Sequence, residues 1–291
     1  MIKQNAADFS QTPFSGLNDF GPDIAPGWVV TDPVGFATSP FLVDTGVTVA
    51  ATPVVKAQPT ALYLTESGDT TAISVNDIHQ GQIGDCFLLS SIGELALWHS
   101  SSITNMIKSN ANGTETVTLY AGTNGQPPGF GATSFKTITE TVTNTFATNG
   151  VNNGATQDVV NGTKEIWVQV LEKAVAQEDG GMSAISNGGN PCIALQELTG
   201  HTATWNNPAT LTAATLTKDL LGGDLIVMDT ASSGLGYGLV GNHAYMLEGV
   251  QGTGTAAMVK LGNPWGTNQP QLIPVANLAK AGIVEVDIGH W

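Results

Sequence analysis

The 291-residue chain carries 9 lysine or arginine residues against 24 aspartates and glutamates, a net charge of −15 with a pI near 4.4. A surface this acidic repels phosphate backbones and anionic lipid, which argues against nucleic-acid or membrane-surface partners. All nine basic residues are lysines, so bidentate guanidinium recognition is excluded.

Charged residues make up only 11% of the chain, while 41% are hydrophobic, enough for a sizeable core. Two cysteines, Cys86 and Cys192, provide no disulfide framework and no CxxC metal pair. No apolar run approaches the roughly 18 residues that span a bilayer. The opening MIKQNAADFSQ lacks a basic region followed by an apolar stretch, so a Sec-type signal is not expected. An acidic, arginine-free, Gly/Asn/Thr-rich composition leads us to expect a bacterial protein exported by another route, or a module of a larger secreted protein, rather than a cytoplasmic one.

In chain order, residues 1–60 hold Pro13, Pro22, Pro26, Pro33, Pro40, Pro53 and Pro59, too closely spaced for ordinary helices. They read as an extended N-terminal arm with short strands at 41–43 and 47–51. The run CFLLSSIGELALW, residues 86–98, is apolar on nearly every face and reads as a central buried helix with Asp85 at its N-cap. TETVTLYAG and FKTITETVTNTF alternate as strands about the turn-forming NGQPPGFG. Trp167, Val170, Leu171, Ala174 and Val175 recur at helical spacing over 165–177, and Gly180 and Gly181 end that helix. After the loop SNGGNP, strands are predicted at 224–229, 243–250 and 257–263. Helices followed by strands indicate an α+β fold in two parts, 61–190 and 191–291, with the seam near 188–200.

Cys86 stands in the first turn of its helix, where unpaired amides and the helix dipole favour an anion. Gly84 permits a sharp turn before it, and Gln80, six residues upstream, can fold back as an amide donor to an oxyanion. By itself Cys86 is as readily an inert core thiol. His243 opens an apolar strand from which its imidazole can take the thiol proton. Asn263 ends the following strand, and an antiparallel pair turning at 251–254 sets it beside His243 to orient the ring. Trp265 then shields that bond from water. Gly236-Tyr-Gly-Leu-Val-Gly241 fits GxGxxG, but a strand follows it rather than a helix and no βαβ unit surrounds it, so it is weak evidence for a dinucleotide site. Cys192 lacks activating neighbours and reads as a packing residue. The histidines form no HExxH motif, and no GxSxG elbow is present.

Three ordered segments, QGQIGDCFLLSSI, GNHAYMLEGV and LGNPWG, resemble the nucleophile, histidine and asparagine motifs of the calpain family of cysteine peptidases. EIWVQVLEKAVAQ and ALQELTG resemble the helix and loop between them. The likeness covers about residues 70–270. It implies a papain-like two-lobe core, with a helical Cys lobe, a β-rich His/Asn lobe and a cleft between. It also implies an endopeptidase acting on proteins or peptides, with Cys86 as nucleophile, His243 as general base, Asn263 as orienting residue and Gln80 as oxyanion donor. Gly189, Gly241 and Trp265 are expected against substrate. Family members use calcium, and Asp77 and Glu165 match the acidic positions of one site. Thr267-Asn-Gln-Pro does not match the second, so one calcium at most is expected. A non-catalytic module of the same fold and an acyl transferase using the same Cys-His chemistry stay open. The oligomeric state is not read from the sequence.

Overall fold

The computed structural model describes residues 59–65, 71–123, 128–129, 131–147, 154–155 and 159–291. The arm and the strands expected at 41–43 and 47–51 lie outside the described residues, except for the last residues before 61. The elements run β1 (Thr60–Ala61), α1 (Cys86–Met106), β2 (Ile107–Ser109), β3 (Thr114–Gly122), β4 (Phe135–Thr143), β5 (Val159–Val160), β6 (Thr163–Glu165), α2 (Trp167–Glu178), α3 (Met182–Ile185) and α4 (Pro191–Thr199). They continue with β7 (Ala203–Asn206), α5 (Ala213–Gly222), β8 (Leu225–Thr230), β9 (Ala244–Gln251), β10 (Met258–Gly262), β11 (Ile273–Pro274), α6 (Leu278–Ala281) and β12 (Ile283–Gly289). The mixture of helix and sheet is the expected α+β class.

The largest sheet has six strands in the order β11-β10-β9-β8-β12-β7, every pair antiparallel. Its central strand β8 is apolar at successive positions because both of its faces are covered. Leu225 and Val227 pack with α1, α2 and α4, while Ile226 and Met228 join a second core with Leu216 of α5 and Leu278 of α6. A smaller sheet, β2-β3-β4, carries the two long Thr-rich strands in the expected pairing, Thr114 opposite Thr143 and Gly122 opposite Phe135.

Helix α1 is buried at every position from Cys86 to Ala96, as its unbroken apolar run requires. It bends at His99, whose φ of −139° and ψ of 46° leave the helical region. Gly93 lets it close on the sheet, because a Cβ there would stand 2.0 Å from the Met246 sulfur. Helix α4 starts inside the loop expected at the seam. The Asn190 side chain accepts the Ile193 N–H at 3.3 Å and Pro191 occupies the first turn, a capping pattern present in the sequence that the loop assignment passed over. Cys192, Ala194, Leu195 and Leu198 of α4 pack in the same core as α1. Asp85 is the N-cap of α1 by position, yet its side chain makes no capping bond.

Candidate active site

The turn before Cys86 is fixed by a neighbouring loop. The Gly84 N–H donates to Ser186 O and the Gly188 N–H to Gly84 O, both at 2.7 Å. A Cβ at Gly84 would meet Ser186 O at 3.0 Å, so backbone contacts backbone here. Gly189, next in that loop, lies flat against Phe87, and a Cβ on it would come within 2.4 Å of the ring. The loop therefore forms a wall beside the start of α1.

His243 immediately precedes β9. Its main chain is held by Thr230 of β8, through His243 N–H to Thr230 Oγ1 and Thr230 N–H to His243 O, each 3.0 Å. The imidazole meets Tyr245 edge-on at 4.9 Å and the Trp265 indole at 4.7 Å. Its Nε2 lies 2.9 Å from Asn263 Oδ1. Asn263 follows β10, which pairs with β9 in the expected antiparallel manner. Its amide orientation is dictated by its neighbours: Oδ1 also accepts the Trp265 N–H at 3.0 Å, and Nδ2 donates to Asn268 O at 3.2 Å. An oxygen facing Nε2 requires the imidazole proton to sit on Nε2, which leaves Nδ1 as the basic nitrogen.

One face of α1 runs along β9. Ser90, one turn beyond Cys86, donates to Ala244 O at 3.0 Å, and the Ala244 N–H reaches the Cys86 thiol. The sulfur thus lies against the residue that follows His243. Burial pushes the Cys86 thiol up to about 12, with the Asp229 and Asp85 carboxyls adding to the rise and the Ala244 and Phe87 amides opposing it. Burial lowers His243, against the bond from Asn263. Both shifts favour the uncharged forms, the thiol of Cys86 and the free imidazole of His243.

Gln80 joins the Cys86 and Asn263 segments, since its N–H donates to Pro264 O, beside Asn263, at 2.8 Å. Its Nε2 donates to Ile83 O at 2.8 Å, and the same side chain reaches the Asp85 carboxyl. Asp85 turns away from the helix end toward Glu172 of α2. Burial raises both carboxyls, with Glu172 adding to the rise at Asp85, and Glu172 Oε1 accepts the Ala155 N–H at 2.8 Å. Gly241 sits two residues before His243, pressed on Ser232 so closely that a Cβ would fall 2.5 Å from its carbonyl oxygen. Cys192 is fully buried, and its thiol donates to Asp287 Oδ1 at 2.9 Å.

The sequence model described as calpain family cysteine protease matches residues 58–271. The chain belongs to the calpain family. Comparison with curated proteins gives no match. The three motifs thus lie within a calpain-family protease domain, and no helix among the described residues is long and apolar enough to cross a membrane.

In this calpain-family domain the two acidic residues matched to calcium are both buried. Asp77 Oδ2 accepts the Ser74 N–H at 2.8 Å and the Trp167 indole N–H at 2.9 Å, closing a capping box on the turn Val75–Asp77. Glu165 accepts the Leu64 N–H. Among the described residues no three His, Cys, Asp or Glu side chains gather as a ligand set. An ion held here would take most of its ligands from backbone carbonyls.

Glu94 escaped the sequence reading. It is fully buried on the face of α1 that bears Cys86 and Ser90, and its carboxylate accepts the Ile226 N–H of β8 at 3.0 Å and the Leu247 N–H of β9. The signal was available: one acidic residue within an otherwise apolar helix must find buried donors.

Proposed function

We propose that this calpain-family protein is a cysteine endopeptidase acting through Cys86, His243 and Asn263. The observation that carries the reading is the 2.9 Å contact between His243 Nε2 and an Asn263 oxygen, because it leaves Nδ1 as the base. The imidazole Nδ1 takes the thiol proton as the sulfur attacks the scissile carbonyl carbon. The resulting oxyanion is received by the Gln80 side-chain amide and the Cys86 N–H, which belongs to the unpaired first turn of α1. His243 then protonates the leaving amine, and water hydrolyses the thioester to free the sulfur.

In this reading the substrate lies in a cleft between a helical Cys lobe and a β-rich His/Asn lobe, as in papain-like enzymes. Gly189 and Gly241 offer close backbone approach, and Trp265 shields the His243–Asn263 bond. Protein or peptide chains are the substrates. One calcium ion at Asp77 and Glu165 belongs to the same reading. When bound it would neutralise two buried carboxylates and tie the Val75–Asp77 turn to β6, and no chemical step runs through it.

Casein digestion tests the reading. Cys86→Ala is expected to abolish cleavage while keeping the parent's Tm to within a few degrees. Cleavage by the variant at the parent rate would overturn it.

A further inference from the structure

Three carboxylates outside the catalytic group share one face of the six-stranded sheet. Asp229 of β8 stands directly opposite Ala244 of β9, the residue whose N–H reaches the Cys86 sulfur, so the two side chains lie on the same face. Leu225, Val227 and Ala244 define that face as the one packed against α1 and α4. On the other side of Asp229, Glu285 of β12 is its cross-strand partner, and Asp287 follows two residues later on the same face. From the nucleophile outward the order is Ala244, Asp229, Glu285, with Asp287 behind.

Burial is graded across the group. Asp229 and Glu285 are partly exposed, whereas Asp287 is 0% exposed and holds the Cys192 thiol through Oδ1. No hydrogen-bond donor reaches Asp229 Oδ1, although that atom is buried, while Asp287 also interacts with Glu285. Among the described residues neither lysine nor histidine pairs with any of the three; Lys260 is engaged with Glu248 and His290 with Asp224. A buried carboxyl oxygen without a donor is costly, and the closeness of Asp229, Glu285 and Asp287 in a chain of net charge −15 favours a cationic group beside them. Burial raises all three carboxyls, Asp287 to about 8; repulsion adds to the rise at Asp229 and Asp287, a bond from Asp287 opposes it at Glu285, and an incoming cationic side chain would relieve the cost.

We propose that Asp229, Glu285 and Asp287 form a specificity subsite that takes a lysine or arginine side chain of the substrate within two residues of the scissile bond. Asp229 meets the ammonium or guanidinium head at the rim and Glu285 flanks it. The inference rests on the peptidase reading of Cys86. A metal ion is the weaker occupant, since the described residues gather no ligand set. The negative field of the whole chain would draw basic peptides toward the same place.

Peptides varied between Lys, Arg and Leu at each of the two positions on either side of the cleaved bond test the proposal, with kcat/KM as the readout. A basic residue at one position is expected to win over Leu by roughly tenfold or more, as a site built for a polar group rejects an analogue lacking it. Asp229→Asn and Glu285→Gln should each collapse that ratio toward one. Their Tm should hold or rise, because removing one carboxylate relieves repulsion. Cleavage without a basic preference, or a preference untouched by both substitutions, overturns the subsite and leaves the peptidase reading intact. A preference that appears only with an added divalent ion overturns it in favour of the ion. If no peptide is cleaved and Cys86 is not acylated, both readings fall together.

Discussion

Glu94 Oε2 accepts the Ile226 N–H at 3.0 Å at the point where strands β8 and β9 part. The pairing of these strands runs Asp229 with Ala244, Met228 with Tyr245 and Val227 with Met246. The next rung would pair Ile226 with Leu247, and the Glu94 carboxylate takes both of those amides instead. The helix that begins with Cys86 is thereby fastened to the two strands that frame His243. Glu94→Ala leaves two buried amides unsatisfied and should cost about 2–5 kcal/mol in urea unfolding. Glu94→Gln restores one acceptor and should recover part of that loss. At temperatures where both variants stay folded, kcat should fall more than KM rises, since sulfur and imidazole lose their mutual fixing.

Asn263→Ala removes the oxygen that selects the His243 tautomer. Activity should fall about 10²-fold, mainly in kcat, as expected when a base loses its orientation. Steady-state kinetics on one peptide substrate check this, and an unchanged kcat would mean that the ring is oriented by Tyr245 and Trp265 alone.

The pH profile follows from the direction of the His243 shift. Burial lowers its pKa, so the neutral base persists below the ordinary imidazole value of about 6.5 and activity should fall only beneath that pH. The stability sign agrees: the unfolded chain binds this proton more readily, so folding weakens as pH drops through the same range. The acid limb of kcat/KM, measured with Tm at each pH, is the check. An acid limb above 6.5 would contradict a desolvated His243.

Gly189→Ala forces a methyl group to within 2.4 Å of the Phe87 ring. The ring must shift beside Cys86, with an expected loss of about 1–3 kcal/mol and a raised KM. Thermal denaturation and substrate titration read the two effects separately.

Calcium is tested by stability as well as rate. Chelator should lower Tm, calcium should restore it, and Asp77→Asn should abolish the difference. No Tm change on chelation, with no stoichiometric metal found, would remove the ion from the account.

The segments around Cys86, His243 and Asn263 were legible because each carries its structural role locally. Glycine before an apolar helix, histidine opening an apolar strand and asparagine closing the next need no distant information, and β9 and β10 pair as their turn implied. Glu94, Asp229 and Glu285 were not legible, because their roles depend on which strands adjoin and where a rung is missing. Asp85 shows the same boundary. Its position as N-cap was readable, but its side chain answers to Glu172, 87 residues away in sequence, and not to the helix end. Helix α4 was hidden for another reason: Asn190 and Pro191 were weighed as loop formers, although together they also open a helix.

The central claim is that His243 serves the Cys86 sulfur, and alkylation by iodoacetamide in the folded state tests it most directly. Cys192, fully buried against Asp287, provides an internal reference in the same molecule. Peptide mass spectrometry should find Cys86 modified far faster than Cys192, with that advantage lost in His243→Ala. Equal rates at the two cysteines, or a Cys86 rate indifferent to His243, would contradict it.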